Sequence, residues 1–196
     1  HINPVTVVVT EVTVPTAGTY KSGDTLIFSV AFNEKVLVTT ASGIPSLKLT
    51  IGSSSRNAFY QNGSGNNVLE FAYIIQPGEE DTNAIKINAA LSMNNGFIKD
   101  TRGNNIPPGL HNIGNTSGIL IDAVNPSIKA VMVPRKNMYK AFDTLDFTIY
   151  FTEKVMVKNS KDTPFIRLEI GSALKKNSYV SGSGTAALLF RYVVHI

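Results

Sequence analysis

The chain contains an internal repeat at one fixed spacing. Residues 2–77 align with residues 121–196 at a constant offset of 119 residues without a gap, and 28 of the 76 aligned pairs are identical. A period of this length fits a small domain and is too long for one turn of a solenoid or one propeller blade. The repeat is best preserved in Tyr20–Phe28 with Tyr139–Phe147, Phe32–Val36 with Phe151–Val155, and Gly63–Gly65 with Gly182–Gly184.

The repeat predicts two domains. Residues 1–121 would form a complete unit and residues 122–196 a second, incomplete one, because nothing in the second copy aligns with residues 78–119. The linker Ile121–Pro126 is short, and Pro126 restricts the residue before it to an extended backbone. We therefore expect a stiff junction and an end-to-end arrangement of successive domains.

The residue pattern is that of an all-β sandwich. Helical periodicity is nearly absent, and short alternating runs rich in Val, Ile, Thr, Phe and Tyr lie between Gly, Asn, Ser and Pro clusters. In Thr25–Phe32, the residues Leu26, Phe28, Val30 and Phe32 share one face and are predicted to point inward. The first unit is predicted to hold seven to nine strands: Val5–Val14, Thr25–Phe32, Lys35–Thr39, Leu47–Ile51, Asn57–Gln61, Val68–Ile75, Ala84–Asn88, a segment near Phe97–Ile98, and Ile119–Ile121.

The second copy is predicted to lack its closing strands, which would leave sheet edges and part of its core exposed. Two explanations remain open at this point. The sequence is a processed piece or a cloned fragment of a longer chain, in keeping with the absence of an initiating Met, or another chain donates a strand.

Composition excludes several classes of function. The chain has 18 Lys and Arg against 14 Asp and Glu residues, a net charge of +4, but the basic residues are scattered and predict no nucleic-acid partner. Zero cysteine removes disulfides, thiolate zinc sites and a cysteine nucleophile. No stretch approaches the 18 apolar residues of a membrane span, so membrane insertion is not expected.

No catalytic set is visible, and the chain is predicted not to be an enzyme. His1, His111 and His195 have neither metal-ligand nor triad spacing. Gly63–Gly65 is copied, but it follows a strand as a hairpin signal and does not form the strand-to-helix turn of a nucleophilic serine.

The copied motifs resemble the immunoglobulin-like tandem repeats of giant bacterial surface proteins, found in RTX-type adhesins and in swimming-motility cell-surface proteins. The motifs that carry the resemblance are Val14-Pro15, Tyr20–Phe28, Phe32–Val36, Pro45, Leu49–Gly52, Tyr60–Gly65, Leu69–Tyr73 and Gly96–Asn104. The resemblance implies a tandem Greek-key sandwich in a bacterial extracellular or cell-surface stalk, often rigidified by calcium at domain junctions. The second copy departs from the pattern at Phe142, which replaces the glycine of the Lys-x-Gly-Asp turn.

Four oxygen-bearing residues are candidate calcium ligands: Asp100, Asn104, Asp122 and Asn125. Asp100 and Asn104 belong to one loop, and Asp122 and Asn125 to the linker. Lys99 and Arg102 would oppose a cation there.

The other acidic residues have simpler interpretations. The acidic run 79–81 is interpreted as a solvated loop. The copied pair Asp24 and Asp143 is interpreted as binding backbone N–H groups in turns. The copied pair Glu34 and Glu153 would stabilise a turn or offer a carboxylate to a junction metal.

Three functions compete. The leading hypothesis is a structural extender whose partners are neighbouring repeats of the same chain. The second is a binding module for a host or cell-surface glycan or protein, which would need an aromatic cluster on loops such as 40–46, 53–57 or 105–117. The third is an accessory domain of a secreted polysaccharide hydrolase.

Overall fold

The computed structural model describes residues 6–158 and 162–195, and all of the regular structure in them is β. It confirms the predicted all-β class, with curled sheets of a β-sandwich kind. The chain divides into two compact units, His1–Val124 (unit 1) and Asn125–Ile196 (unit 2). No helix that is long and apolar enough to cross a membrane occurs in the part of the chain that is described.

Unit 1 is built around a six-stranded antiparallel sheet with the strand order β1-β3-β7-β6-β5-β9. Strand β3, which lies between β1 and β7, matches the predicted span Thr25–Phe32, and the four residues predicted to point inward are at most 2% exposed. The strands of this sheet are β1 (Val9–Thr13), β3 (Thr25–Phe32), β5 (Ser46–Ile51), β6 (Ser54–Asn62), β7 (Val68–Ile74) and β9 (Lys86–Ser92).

Two smaller sheets complete unit 1. β4 (Val36–Thr39) pairs with β10 (Phe97–Asp100), and β2 (Gly18–Tyr20) and β8 (Glu80–Asp81) flank β11 (Ile119–Asp122). The core includes apolar residues from all parts of the unit, and the segment 78–122 contributes Ile85, Leu91, Ile98, Ile106, Ile119 and Ile121.

The strand predictions for unit 1 missed two short strands and made the first strand too long. β2 and β8 were missed because three- and two-residue strands carry no periodicity of their own. The predicted first strand was too long, since β1 covers Val9–Thr13; Val5 lies outside the described residues.

The described residues of unit 2 form a single five-stranded sheet with the order β12-β13-β16-β15-β14. It reproduces the order β1-β3-β7-β6-β5 of unit 1, as the sequence repeat requires. Its buried core is small and is centred on Ile149, Leu188 and Phe190. The strands are β12 (Ile128–Met132), β13 (Thr144–Val155), β14 (Phe165–Ile170), β15 (Ala173–Ser181) and β16 (Thr185–Val193).

Candidate functional site

The predicted ligands Asp100 and Asn104 lie together, Asp100 as the last residue of β10 and Asn104 in the loop that follows it. The buried Asp100 carboxylate accepts hydrogen bonds from the backbone N–H groups of Arg102 (2.9 Å) and Asn104 (2.8 Å). It also accepts from the Asn104 amide (2.9 Å) and from Arg102 Nε (3.1 Å). Arg102 reaches further, to Glu34, at 3.4 Å. The carboxylate therefore closes its own loop, and Arg102 links that loop to the loop after β3.

These donors change the acidity of Asp100. The Asn104 side-chain amide, followed by the other hydrogen bonds, lowers the pKa of Asp100 from 3.8 to about 2, although burial opposes the shift. The ionised form is thus the one that the fold stabilises, with Arg102 as its adjacent cation.

The other two predicted calcium ligands lie elsewhere in the chain. Asp122 is the last residue of β11, where it pairs with Glu80, and Asn125 is the first residue of unit 2. Within residues 6–158 and 162–195, no group of three or more His, Cys, Asp or Glu side chains is placed to hold a metal ion. Calcium binding stays a prediction, with Asp100 and Asn104 as the two ligands that are in contact.

The interpretation of the acidic run as a solvated loop was wrong for two of its three residues. Glu79 is 7% exposed and accepts hydrogen bonds from Tyr73 Oη (2.6 Å), the Gln76 N–H (2.9 Å) and Arg56 Nε. Asp81 is 3% exposed and accepts from the N–H of Gly52 at 2.7 Å. Both carboxylates fasten the segment after β7 to the β5–β6 hairpin.

The pKa values in this cluster follow from its geometry. Burial, helped by the hydrogen bond to Glu79, raises the pKa of Tyr73 to about 12. Burial alone would raise the pKa of Glu79, but the bonds from Tyr73, Gln76 and Arg56 outweigh it and lower that pKa. The cluster has the character of a structural ion pair with a neutral phenol attached.

The copied polar residues form turns, as predicted for the aspartates. The N–H of Lys21 donates to Asp24 at 2.8 Å and the N–H of Lys140 donates to Asp143 at 2.7 Å. In the copied glycine hairpins, Ser64 Oγ accepts from the Val38 N–H and Ser183 Oγ accepts from the Val157 N–H, both at 2.9 Å. These serine hydroxyls hold two strands together.

One apolar groove of about 430 Å³ lies beside β10 in unit 1. Phe97 is 45% exposed at its wall, and Asn105 and Ile106 bring part of the loop 105–117 to it. Lys99 Nζ lies 5.2 Å from the centre of the Phe97 ring. The groove thus has one aromatic ring with a lysine beside it, but Phe97 belongs to β10 and not to the loops in which the binding-module hypothesis expects an aromatic cluster. That hypothesis stays a prediction.

Sequence reasoning missed the pairing between the two ends of unit 1. β2 runs parallel to β11, with Gly18 opposite Ile119 and Tyr20 opposite Ile121. Upstream, Val12 forms a parallel bridge with Ile113, donates to the carbonyl of Asn112 (3.2 Å) and accepts from the N–H of Gly114 (2.9 Å). We call residues 10–20 and 112–122 together the terminal clamp.

Glycines allow the close approach within the terminal clamp. A Cβ on Gly118 would lie 2.7 Å from the Cβ of Ala17, and one on Gly114 would lie 3.0 Å from a methyl group of Val14. The glycines at 114 and 118 were the only sequence signal for the clamp, since close backbone approach is one reason for glycine in a strand region. They do not identify the segment that approaches.

No protein-family model matches the chain, and a search of curated proteins likewise gave no match.

Proposed function

We propose that this chain is a structural extender: a stalk segment of a large repetitive bacterial cell-surface or secreted adhesin that spaces a distal binding region. In this proposal the units are immunoglobulin-like Greek-key repeats, and their partners are neighbouring repeats of the same chain. The proposed role is mechanical, so it depends on how a unit resists a pulling force.

The observation that carries the proposal is the parallel terminal clamp of unit 1. Tension on a stalk pulls the N-terminal end of residues 10–20 one way and the C-terminal end of residues 112–122 the other way. Because the two segments are parallel, those pulled ends lie at opposite ends of the paired region. The hydrogen bonds between the segments are then loaded together in shear, and they must break together before the unit can unfold.

The side-chain chemistry supports the same role. The copied groups Asp24, Asp143, Ser64 and Ser183 bind backbone N–H groups of their own unit. The buried carboxylates Glu79 and Asp81 likewise accept hydrogen bonds from backbone N–H groups of unit 1. What the repeat preserves is therefore the set of contacts that holds a sheet together.

A binding module is the second candidate, and the groove beside Phe97 favours it. A ring exposed next to the amide of Asn105 and a lysine is suited to a sugar face or a peptide side chain. Binding of a glycan panel to the chain, lost on Phe97→Ala and kept on Phe59→Ala, would move this candidate ahead of the extender.

Small-angle X-ray scattering of the full chain tests the extender proposal. The short linker through Pro126 leads us to expect the scattering of two units arranged end to end. A maximum dimension no larger than that of a compact globule of 196 residues would contradict the proposal.

A further inference from the structure

Unit 2 exposes apolar positions that unit 1 buries. Val9, Val12 and Ile51 are at most 3% exposed, whereas their aligned residues Ile128, Val131 and Ile170 are 60%, 50% and 42% exposed. Five further residues aligned with core positions of unit 1 are only half-buried in unit 2: Leu145, Phe147, Phe151, Ile166 and Leu168. We call the surface formed by these eight residues the open face of unit 2.

The matching surface of unit 1 is covered by its own chain. The segment 78–122 places Ile85, Leu91 and Ile98 in the common core. Its strand β9 also pairs antiparallel with β5, with Leu91 opposite Leu47 and Ile87 opposite Leu49. The counterpart of β5 in unit 2 is β14, which pairs with β15 alone among the described strands. Unit 2 therefore offers both an apolar face and an unpaired backbone edge.

Unit 2 also keeps the groups that anchor this segment in unit 1. There, Glu79 is held by Arg56 and Tyr73, and Asp81 is held by the N–H of Gly52. The aligned residues are Lys175, Tyr192 and Gly171, and Gly171 has the same left-handed backbone as Gly52, with φ of 62° against 57°. Unit 2 thus has a cation and a phenol at the position where the first acidic residue of such a segment would dock. It has a turn N–H at the position where the second acidic residue would dock.

We propose that the open face of unit 2 is a binding site for an extended polypeptide segment of the same chemistry as residues 78–122. The segment carries a Glu-x-Asp triplet followed by a strand of alternating aliphatic residues. Its triplet docks at Lys175, Tyr192 and Gly171, and its strand pairs antiparallel with β14. This is β-strand addition, in which main-chain hydrogen bonds supply affinity and the buried side chains select the partner.

The test uses the full chain and a synthetic peptide of residues 78–122, with amide hydrogen exchange as the readout. Wild-type peptide is expected to slow exchange in β14 by at least about tenfold, since pairing protects edge amides. A peptide with Glu79→Gln and Asp81→Asn, and one with Leu91→Lys, should each need at least about tenfold more peptide for the same protection. Chain variant Lys175→Ala should show the same loss with wild-type peptide.

Exchange in β5 of unit 1 is the internal control. Its own segment is covalently attached at an effective concentration in the millimolar range, so added peptide should leave β5 unchanged. Absence of β14 protection, or equal protection by all three peptides, overturns the proposal. Protection of β14 that grows with chain concentration when no peptide is present also overturns it, because the occupant is then a second copy of the chain.

Discussion

Gly18 donates its backbone N–H to the carbonyl oxygen of Gly118 at 2.8 Å, which joins the first part of unit 1 to the last. The close approach of the two segments depends on Gly118, because a Cβ there would meet that of Ala17 at 2.7 Å, whereas a Cβ on Gly18 would meet nothing within 4 Å. One hundred residues of sequence separate the two glycines, so the contact closes the whole unit. Unit 2 has no aligned residue for Gly118.

The turn at Phe142 is predicted to destabilise unit 2. Its N–H donates to Val194 at 2.8 Å just as Gly23 donates to Ile75 at 2.9 Å, but Phe142 adopts φ of 72° with 73% of its surface exposed. A left-handed backbone costs a residue with a Cβ about 1 kcal/mol relative to glycine. Phe142→Gly should therefore raise the free energy of unfolding of unit 2 by about 1 kcal/mol in urea titrations.

The reciprocal change is the matched control for that prediction. Gly23→Phe, at φ of 87° in the aligned turn, should lower the stability of unit 1 by a similar amount. Stabilisation of unit 1 by Gly23→Phe would contradict the explanation by backbone strain.

Acid should weaken unit 1 through Asp100. Its pKa is lowered in the fold from 3.8 to about 2, so the unfolded chain binds the proton more readily. The contribution of Asp100 to stability is therefore fully present above about pH 4 and is lost as the pH falls from 3.8 towards 2. We expect Asp100→Asn to lower the urea midpoint of unit 1 at pH 6, and the gap to wild type to narrow as the pH approaches 2. A gap that stays constant across this range would contradict the assignment.

The buried Asn177 should be a weak point of unit 2. It is fully buried, and neither its Nδ2 nor its Oδ1 has a hydrogen-bond partner in the described structure. The aligned residue of unit 1 is Ala58, which is also fully buried and faces Leu47 across the sheet as Asn177 faces Ile166. Removing two unsatisfied polar groups outweighs the lost packing, so Asn177→Ala should stabilise unit 2 by about 1 kcal/mol.

Ala58→Asn is the matched variant in unit 1 and should destabilise it by about 2 kcal/mol, because the added amide is buried without a partner. Destabilisation of unit 2 by Asn177→Ala in chemical unfolding would show that the amide is satisfied in solution.

The calcium hypothesis makes a simple thermal prediction. If Asp100, Asn104, Asp122 and Asn125 supply ligands, then calcium should raise the unfolding midpoint and a chelator should restore it, since a ligand of the folded state stabilises that state. Asp122→Asn should then reduce the calcium-dependent rise. Equal midpoints in calcium and in chelator would reject the site.

The sequence predicted what depends on neighbouring residues. The alternation in Thr25–Phe32 identified its buried face, and the copied Asp24 and Asp143 identified their turns, because both signals lie within a few residues. Burial of Glu79 could not be read in this way. Its partner Arg56 lies 23 residues away, and only the paired fold supplies the cation that makes burial of the carboxylate tolerable.

The terminal clamp escaped prediction for the same reason. β2 has three residues, and its partner β11 lies about a hundred residues later in the chain. Parallel pairing over that distance leaves no periodic pattern in the sequence. The glycines at 114 and 118 indicate that another segment approaches closely, but they do not identify that segment.

Single-molecule force spectroscopy, with the full chain pulled from its two ends, measures directly how strongly the terminal clamp resists tension. We predict that unit 1 unfolds in one step, releasing about 400 Å of chain for residues 10–122 at about 3.5 Å per residue. Gly118→Val should lower the force of that step by forcing the two segments of the terminal clamp apart, and the control Gly109→Ala, which meets only the His111 side chain at 4.0 Å, should leave it unchanged. Stepwise peeling of unit 1, or the same unfolding force in wild type and Gly118→Val, would contradict a mechanical role for the clamp.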